Sequence, residues 1–225
     1  MIRGAIFDMD GLMFETERLF AISWAEQARR FGFQPVPEFH RAVCGTSGTL
    51  ARDIVRKFYP GIPDANSFIN DGCDRVADMM AESVPEKEGL HEIVDYLKGL
   101  GLRLAVASSS EAELIRANLT KTGLAGQFDV LLSTSQVARG KPVPDVFLEA
   151  ARRLGLAPGE CYVFEDGING VKAGIAAGCH TYMIPDMIPP TQEIREQCDG
   201  VFPSLLVLLE FLKGSSDSFL MPIHA

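Results

Sequence analysis

The chain has 225 residues, of which 47% are hydrophobic and 23% are charged, and its formal net charge is −9. This length and composition are ordinary for a globular protein and allow either one large domain or two modest ones. The acidic charge argues against a general nucleic-acid-binding protein, which normally carries a basic surface. It does not exclude a small anionic ligand, because a few cationic side chains and a metal ion can reverse the field inside a cleft.

The cysteines and the apolar runs bear on the cellular compartment. The number of cysteines is odd, and none of them forms a CxxC pair. The five are Cys44, Cys73, Cys161, Cys179 and Cys198. This pattern predicts reduced thiols. The N-terminus lacks the pattern of a signal peptide, and no apolar run reaches membrane-spanning length. We therefore expect a cytoplasmic protein without membrane contact, and its size and composition suit a monomer.

The first predicted element is a strand, Ile2–Phe7, that stops at two aspartates and a glycine. Residues at i and i+2 of an extended chain project to the same side, so Asp8 and Asp10 would reach the carboxyl end of the strand together. Open α/β sheets bind their ligands there, and such a pair can supply a metal-binding nucleophile and a general acid/base. The alternative is an Asp-rich turn. An EF-hand calcium loop fits poorly, because Gly11 stands at the fourth position rather than the sixth.

The next predicted elements are helices. Apolar spacing predicts them over about 17–31, about 50–58 and about 64–83, and Gly32 and Pro60 are plausible stops for the first two. We find no convincing strand pattern within this segment. It is therefore expected to be an all-helical block of about 65 residues.

From Gly89 onward, helical and strand-like patterns alternate. The sequence predicts helices at about 90–98, 111–122, 144–154, 168–177 and 204–212, and strands at about 102–107, 129–133, 161–165 and 180–184. Such alternation favours a doubly wound sheet of parallel strands. The predicted fold class is α/β, a doubly wound parallel sheet with an inserted α-helical cap. We place the core at 1–15 and 84–225 and the cap at 16–83.

Two polar clusters stand between later strands and helices. Ser108-Ser109-Ser110-Glu111 follows a predicted strand, where hydroxyls and helix-start N–H groups could bind an anion. The alternative is a capping box between Ser108 and Glu111. Lys141 lies in a Pro-rich turn just before a predicted helix, and a lysine in such a turn is usually a solvated surface residue.

A third cluster, Glu165-Asp166-Gly167, is again a strand that stops at acids. Its carboxylates could bind a metal, and Asp166 could also be a helix N-cap, a role compatible with metal binding. The glycines at positions 170, 174 and 178 follow at helical spacing, which predicts close packing of this helix on the sheet.

Together, and in this order along the chain, the clusters resemble the four motifs of the haloacid dehalogenase (HAD) superfamily of phosphohydrolases. The matching residues are Asp8-Met9-Asp10-Gly11, Ser108, Lys141 and Glu165-Asp166. The resemblance covers about 1–15 and 84–212. The helical insert has the position and size of the first cap class of that superfamily, as in β-phosphoglucomutase-like sugar phosphatases. The resemblance implies a Rossmann-like core whose cap closes over the site.

The resemblance also implies chemistry at the aspartates. Asp8 would be the nucleophile that forms an aspartyl-phosphate, and Asp10 would protonate the leaving oxygen and later activate water. Mg²⁺ would be held by Asp8, Asp166 and the backbone carbonyl of Asp10, with Glu165 as a second-choice ligand. The carboxylate-rich donor set by itself also favours Mg²⁺.

Two further matched residues would bind the phosphate. Lys141 would neutralise the phosphate and the Asp8 carboxylate, and the Ser108 hydroxyl would hold a phosphate oxygen. The expected substrate is a small phosphorylated metabolite, such as a sugar or polyol phosphate.

Two positions in the predicted cap help to distinguish a phosphatase from a mutase. The β-phosphoglucomutases carry a histidine at the position of Phe20 and an arginine at that of Gly48, in the loop 45–48. A phenylalanine cannot hydrogen-bond and a glycine cannot pair with phosphate, so we expect a phosphatase. The alternative is a β-phosphoglucomutase-type mutase, in which Arg18, Arg41 or Arg52 replaces the missing cation.

Two other classes of protein are disfavoured. A phospho-accepting receiver module needs an acid after its third strand, where this chain has Ser133-Thr134-Ser135. A catalytically silent binding protein would not need functional residues at all four motif positions. The histidines are scattered, and we assign none of them a role: His40, His91, His180 and His224.

Overall fold

Six parallel strands form one sheet in the computed structural model, which describes residues 1–43, 46 and 48–219. The strands are β1 (Gly4–Phe7), β2 (Arg103–Ser108), β3 (Val130–Ser133), β4 (Cys161–Glu165), β5 (His180–Met183) and β6 (Gly200–Val201). Their order in the sheet is β3-β2-β1-β4-β5-β6. The chain therefore adds β2 and β3 on one side of β1, and then adds β4, β5 and β6 on the other side.

The centre of the sheet fixes where a ligand can bind. Ile6 of β1 lies opposite Ala105 of β2 on one side and Val163 of β4 on the other. Because parallel crossovers are right-handed, reversing direction at β1 places helices on both faces and opens a crevice at the carboxyl ends of β1 and β4. The predicted α/β fold class is confirmed.

The chain separates into two compact units, one of Glu15–Pro85 and one that runs from Met1 to Phe14 and resumes at Glu86. The larger unit contains the sheet. Its helices are α5 (Leu90–Gly99), α6 (Ala112–Lys121), α7 (Asp145–Leu154), α8 (Ile168–Ala177), α9 (Gln192–Gln197) and α10 (Leu205–Phe219). The central strands β1, β2 and β4 are mainly apolar and buried along most of their length, as expected for a sheet covered on both faces.

The smaller unit is helical. Its helices are α1 (Thr16–Arg30), α2 (Pro37–Val43), α3 (Gly48–Phe58) and α4 (Ala65–Glu82). Its core is aromatic: Trp24 stacks on Phe68 at a ring-centroid distance of 6.0 Å, and Phe39 meets Phe68 edge-on at 5.5 Å. Such contacts supply much apolar burial for a unit of this size.

Each helix and strand predicted from the sequence is present in the described residues. Among the α-helices and strands, three short elements were not predicted, namely α2, α9 and β6, because six or seven residues of helix or two of strand are too few for periodicity to show. The last helix also extends beyond its predicted end, to Phe219. Cys44, the loop positions Gly45 and Ser47, and residues 220–225 lie outside the described residues.

Two expectations about the whole chain concern the thiols and contact with a membrane. Cys73, Cys161, Cys179 and Cys198 are free thiols. Among the helices that the structure describes, none has the length and apolar character needed to cross a membrane.

Candidate active site

The predicted site residues meet at the carboxyl ends of three adjacent strands. Asp8 directly follows β1, and its backbone N–H donates to the Phe164 carbonyl at 3.0 Å. Ser108 is the last residue of β2, and Glu165 is the last residue of β4. Since β1 lies between β2 and β4, in-register pairing alone brings these side chains to one crevice.

Lys141 reaches this crevice from the turn before α7. Its Nζ lies 2.5 Å from Asp8 Oδ1, 2.6 Å from Glu165 Oε1 and 3.0 Å from the Ala107 carbonyl oxygen. The three donors of an ammonium group are thereby all used. The side chain is only 8% exposed, so the alternative of a solvated surface lysine is wrong.

Burial dominates the electrostatics of these groups. It raises the pKa of Asp8 to about 8; Lys141 opposes the shift, whereas Glu165 and Asp10 add to it. Burial likewise raises the pKa of Asp166 well above its usual range, with further contributions from Asp8 and Glu165. For Lys141, burial by itself lowers the pKa, but the attraction of Asp8 and Glu165 outweighs it and the net shift is upward. The negative charge of the carboxylates thus exceeds the positive charge of Lys141 in a region of low dielectric.

A divalent cation would relieve this excess of negative charge. Carboxylate oxygens of Asp8, Glu165 and Asp166 lie within 4.8 Å of one another. Hard oxygen donors at this spacing suit Mg²⁺, so the residues present fit the expected ion. Asp166 is not an N-cap, because Gly167 occupies that position of α8 and no side chain caps the helix.

The Asp10 carboxylate is not one of these three and is bound by serines instead. Asp10 Oδ2 accepts hydrogen bonds from Ser108 Oγ at 3.2 Å and from Ser110 Oγ at 2.7 Å. The alternative capping box is absent among the described hydrogen bonds: α6 has Glu111 at its N-cap without a side-chain bond, and Ser108 Oγ accepts from the Ser110 N–H. Sequence reasoning missed Ser110 as a partner of Asp10, although the run of three serines was visible.

Gly11 allows an acid to approach the backbone of the loop that follows β1. Its φ is +85°, and a Cβ there would lie 2.3 Å from Asp166 Oδ2. Asp186 lies on the same side, and its Oδ1 accepts from Lys87 Nζ at 2.8 Å. The glycine of the first motif is therefore required by both conformation and space.

The glycines at positions 170, 174 and 178, in and just after α8, are required for different reasons. A Cβ on Gly170 would lie 1.8 Å from Glu165 Oε1, and one on Gly174 would lie 2.7 Å from Thr181 Oγ1. The predicted close packing therefore holds for these two. Gly178 instead ends the helix in the left-handed conformation, with φ +79° and no neighbour within 4 Å of a Cβ.

Comparison with known families gives a match over most of the chain. The sequence model of the haloacid dehalogenase-like hydrolases matches residues 5–184. Two similar relatives are phosphatases of Escherichia coli. Hexitol phosphatase A is 30% identical over 183 residues, which cover 81% of this chain and 82% of that protein. Fructose-1-phosphate phosphatase YqaB is 31% identical over 177 residues, which cover 78% of this chain and 92% of that protein.

Solved structures agree with these matches. A HAD family hydrolase from Deinococcus radiodurans, with bound phosphate and sodium, is 26% identical, has a TM-score of 0.83 and covers 98% of each chain. A β-phosphoglucomutase from Clostridium difficile is 19% identical, has a TM-score of 0.74 and covers 97% of this chain and 99% of its own. At that identity the second likeness concerns the fold alone. The resemblance predicted from the four motifs is confirmed, as is the expected class of enzyme at the level of the family.

Proposed function

Because the chain belongs to the haloacid dehalogenase-like hydrolase family, we propose that it is a Mg²⁺-dependent phosphatase of small phosphorylated metabolites, in particular sugar or polyol phosphates. The observation that carries this proposal is the contact of Lys141 Nζ with Asp8 Oδ1 at 2.5 Å inside a cluster of acids. A phosphate monoester is an anion, and a carboxylate can attack it only where positive charge offsets the repulsion. The phosphatase names of the two relatives support the same class of reaction.

In this proposal Asp8 attacks the phosphorus with a carboxylate oxygen, and the bond to the substrate oxygen breaks. Asp10 gives its proton to that leaving oxygen, so the alcohol departs neutral. Asp10 then takes a proton from the water that attacks the phosphorus of the aspartyl-phosphate. The products are inorganic phosphate and the restored Asp8 carboxylate. The hydrogen bond from Ser110 Oγ, at 2.7 Å, holds Asp10 in position for both steps. The single hydroxyl proton of Ser108 can then turn from Asp10 to a phosphate oxygen.

The remaining site residues bind the phosphate and the ion. Asp8, Asp166 and Glu165, together with the backbone carbonyl of Asp10, would hold Mg²⁺, which supplies positive charge against the transferring phosphoryl group. Glu165 already contacts Lys141, so its main contribution is to orient that ammonium. Lys141 neutralises the phosphate charge, and Ser108 Oγ binds a phosphate oxygen.

We also propose that the helical unit Glu15–Pro85 is the cap of this enzyme. Gly48 there has φ +58°, a conformation that a side chain rarely adopts, so the position is unsuited to the arginine of a mutase. This favours net hydrolysis over isomerisation. Cytoplasmic location and a monomeric state stay predictions.

The experiment that tests the proposal measures phosphate release from a panel of sugar, polyol and aryl phosphates, with Mg²⁺ and after exhaustive chelation. Asp8→Asn should remove the activity because an amide is a poor nucleophile, whereas Asp53→Asn, at an exposed ion pair of α3, should leave it unchanged. Undiminished hydrolysis by Asp8→Asn, or full activity without a divalent cation, contradicts the mechanism.

A second assay separates phosphatase from mutase. The enzyme is incubated with β-glucose 1-phosphate, with and without catalytic glucose 1,6-bisphosphate, and glucose 6-phosphate is followed against free phosphate. We expect phosphate release without need for the bisphosphate. Bisphosphate-dependent glucose 6-phosphate with little phosphate release would assign the chain to the mutases.

A further inference from the structure

Asp186 lies in the loop that follows β5, beside the acids of the candidate active site. β5 pairs in parallel with β4, and the Ile184 N–H donates to the Glu165 carbonyl at 2.7 Å. The loop after β5 therefore begins next to the end of β4, which leads into Asp166. All of these residues belong to the larger compact unit. Parallel pairing thus brings one more carboxylate, which the sequence analysis did not single out, to this edge of the sheet.

The carboxylates of Asp186 and Asp166 approach the same point of the Gly11 backbone. A Cβ there would lie 2.3 Å from Asp166 Oδ2 and 3.4 Å from Asp186 Oδ2, so the two oxygens are separated by no more than the sum of these distances. Among the hydrogen bonds of the described residues, the one made to the Asp186 side chain reaches its other oxygen, and none reaches Asp166 Oδ2. Two carboxylate charges this close repel each other in a partly buried site, and a cation or a hydrogen-bond donor between them would be stabilising.

The other oxygen of Asp186 is held by Lys87. Lys87 Nζ donates to Asp186 Oδ1 at 2.8 Å, and the two side chains are 23% and 18% exposed. The backbone of Lys87 is fixed as well, because its N–H donates to the Met13 carbonyl at 2.9 Å. By itself, a partly exposed ion pair contributes little to stability. This pair uses only Oδ1 and leaves Oδ2 on the side of Gly11 and Asp166.

Asp186 is not placed to bind the same ion directly. In the part of the chain that the structure describes, the acids whose oxygens all lie within 4.8 Å of one another are Asp8, Glu165 and Asp166. Mg²⁺ binds with octahedral geometry and usually keeps several of its water molecules. A carboxylate just beyond the direct ligands can accept a hydrogen bond from such a water, and partners of this kind typically change metal affinity by about 10- to 100-fold.

We propose, resting on the Mg²⁺ site of the function proposed above, that Asp186 is a positioning residue for the ion. Its Oδ2 accepts a hydrogen bond from a water molecule bound to Mg²⁺, while Asp8, Glu165 and Asp166 supply the direct ligands. Lys87 occupies Oδ1 and offsets part of the Asp186 charge. The two members of the ion pair therefore affect Mg²⁺ binding in opposite directions, whereas a pair that served only the packing of two loops would affect it in the same direction.

The first test measures the binding of Mg²⁺ alone, without substrate. The protein is freed of metal by chelation, and the rise of its melting temperature with MgCl₂ concentration gives a Kd. Asp186→Asn should raise this Kd by at least about tenfold. Lys87→Met should leave it unchanged or lower it, because the variant removes a charge that repels the ion. An unchanged Kd in Asp186→Asn, or a similar weakening in both variants, overturns the proposal.

A double variant and a second ion distinguish a bound water from net charge alone. Lys87→Met/Asp186→Asn has the net charge of the wild type, yet it should bind Mg²⁺ several-fold more weakly, because a neutral amide accepts a hydrogen bond less strongly than a carboxylate. Ca²⁺ takes more direct ligands and needs its waters less, so Asp186→Asn should weaken Ca²⁺ binding less than Mg²⁺ binding. Wild-type affinity in the double variant, or equal losses for the two ions, overturns the water-mediated contact.

A matched control uses an exposed ion pair of α10. Glu210→Gln and Lys213→Met change a pair with a similar distance, 2.9 Å, and should leave the Kd of Mg²⁺ unchanged. The melting temperature in chelator shows whether each variant folds, and Asp186→Ala, with the same expected loss, replaces an asparagine variant that does not.

The outcome for Asp186 is separable from the outcome for the proposed function. A wild type that hydrolyses no monoester, including an aryl phosphate, would overturn the proposed function, whereas the Mg²⁺ titration would still decide the role of Asp186. A wild type whose melting temperature does not respond to Mg²⁺ would overturn the role of Asp186, even if it hydrolyses phosphate esters.

Discussion

Lys141 Nζ and Glu165 Oε1 are 2.6 Å apart at the carboxyl end of β4, with side chains 8% and 2% exposed. The second oxygen of Glu165 accepts from the Gly167 N–H at 3.3 Å. The acid is thus held at both oxygens, and it in turn fixes the ammonium that contacts Asp8. A buried pair of this kind is sensitive to the loss of either member, because the other is left as an uncompensated charge.

Lys141→Met should therefore destabilise the fold as well as remove activity. It leaves Asp8, Glu165 and Asp166 facing one another without their cation, and we expect a loss of about 3 kcal/mol in the free energy of unfolding at neutral pH. Urea denaturation measures this loss, and phosphate release measures the activity. The matched control is Lys172→Met, at an exposed pair with Glu193 3.6 Å apart, which should change stability by less than about 1 kcal/mol. Equal effects of the two variants would contradict the central role of Lys141.

Gly170→Ala should reduce activity although Gly170 itself takes no part in the proposed reaction. Its Cβ would lie 1.8 Å from Glu165 Oε1, so the carboxylate must move away from Lys141. We expect kcat to fall by at least about tenfold, since a positioning change of this size misplaces the cation. Gly99→Ala is the control, because this helical glycine has nothing within 4 Å of a Cβ, and alanine there should be neutral or stabilising by up to about 1 kcal/mol. Wild-type kinetics in Gly170→Ala would show that the Glu165 position is not needed.

Asp8→Asn should change the pH dependence of stability in the absence of divalent cations. Burial raises the pKa of Asp8 to about 8 in the folded protein, from the ordinary aspartate value of 3.8. Between these values the folded protein keeps a proton that the unfolded chain has lost, so this group makes unfolding easier as the pH rises from about 4 to about 8. An asparagine cannot ionise and escapes this penalty.

The stability of Asp8→Asn relative to wild type should thus increase across that range, and denaturation at about pH 4.5, 6 and 8 in chelator measures it. A difference that is constant with pH would contradict the raised pKa of Asp8. Excess Mg²⁺ should reduce the difference, because the ion stabilises the wild-type carboxylate.

Asp10→Asn should separate the two proton transfers. Without an acid at this position, the leaving alcohol is not protonated in the first step and water is not activated in the second. For substrates with poor leaving groups, both steps should therefore be slower. An activated aryl phosphate needs little protonation, so its first step should be affected least. Burst kinetics on aryl and sugar phosphates resolve the two steps. Equal losses for both substrates, with chemistry rate-limiting, would exclude Asp10 as the general acid.

Much of the fold and of the candidate site follows from local pattern. The strand that ends at Asp8, the alternation after Gly89 and the all-helical segment were visible because periodicity and strand ends are properties of neighbouring residues. Parallel pairing then predicts that Asp8, Ser108 and Glu165 meet at one edge, since all three follow or end strands of one sheet. The short elements α2, α9 and β6 could not be predicted in this way.

The partners of each side chain depended on the tertiary structure. The sequence by itself determined the family, the sheet and the set of acids around a lysine. Only the fold decided that Glu165 contacts Lys141, that two serines hold Asp10, that Asp186 lies beside the first motif, and that His40 of α2 meets Glu17 of α1. These pairs are separated by 23 to 175 positions of the chain. Their contacts arise from strand order and helix packing, which a local sequence period does not encode.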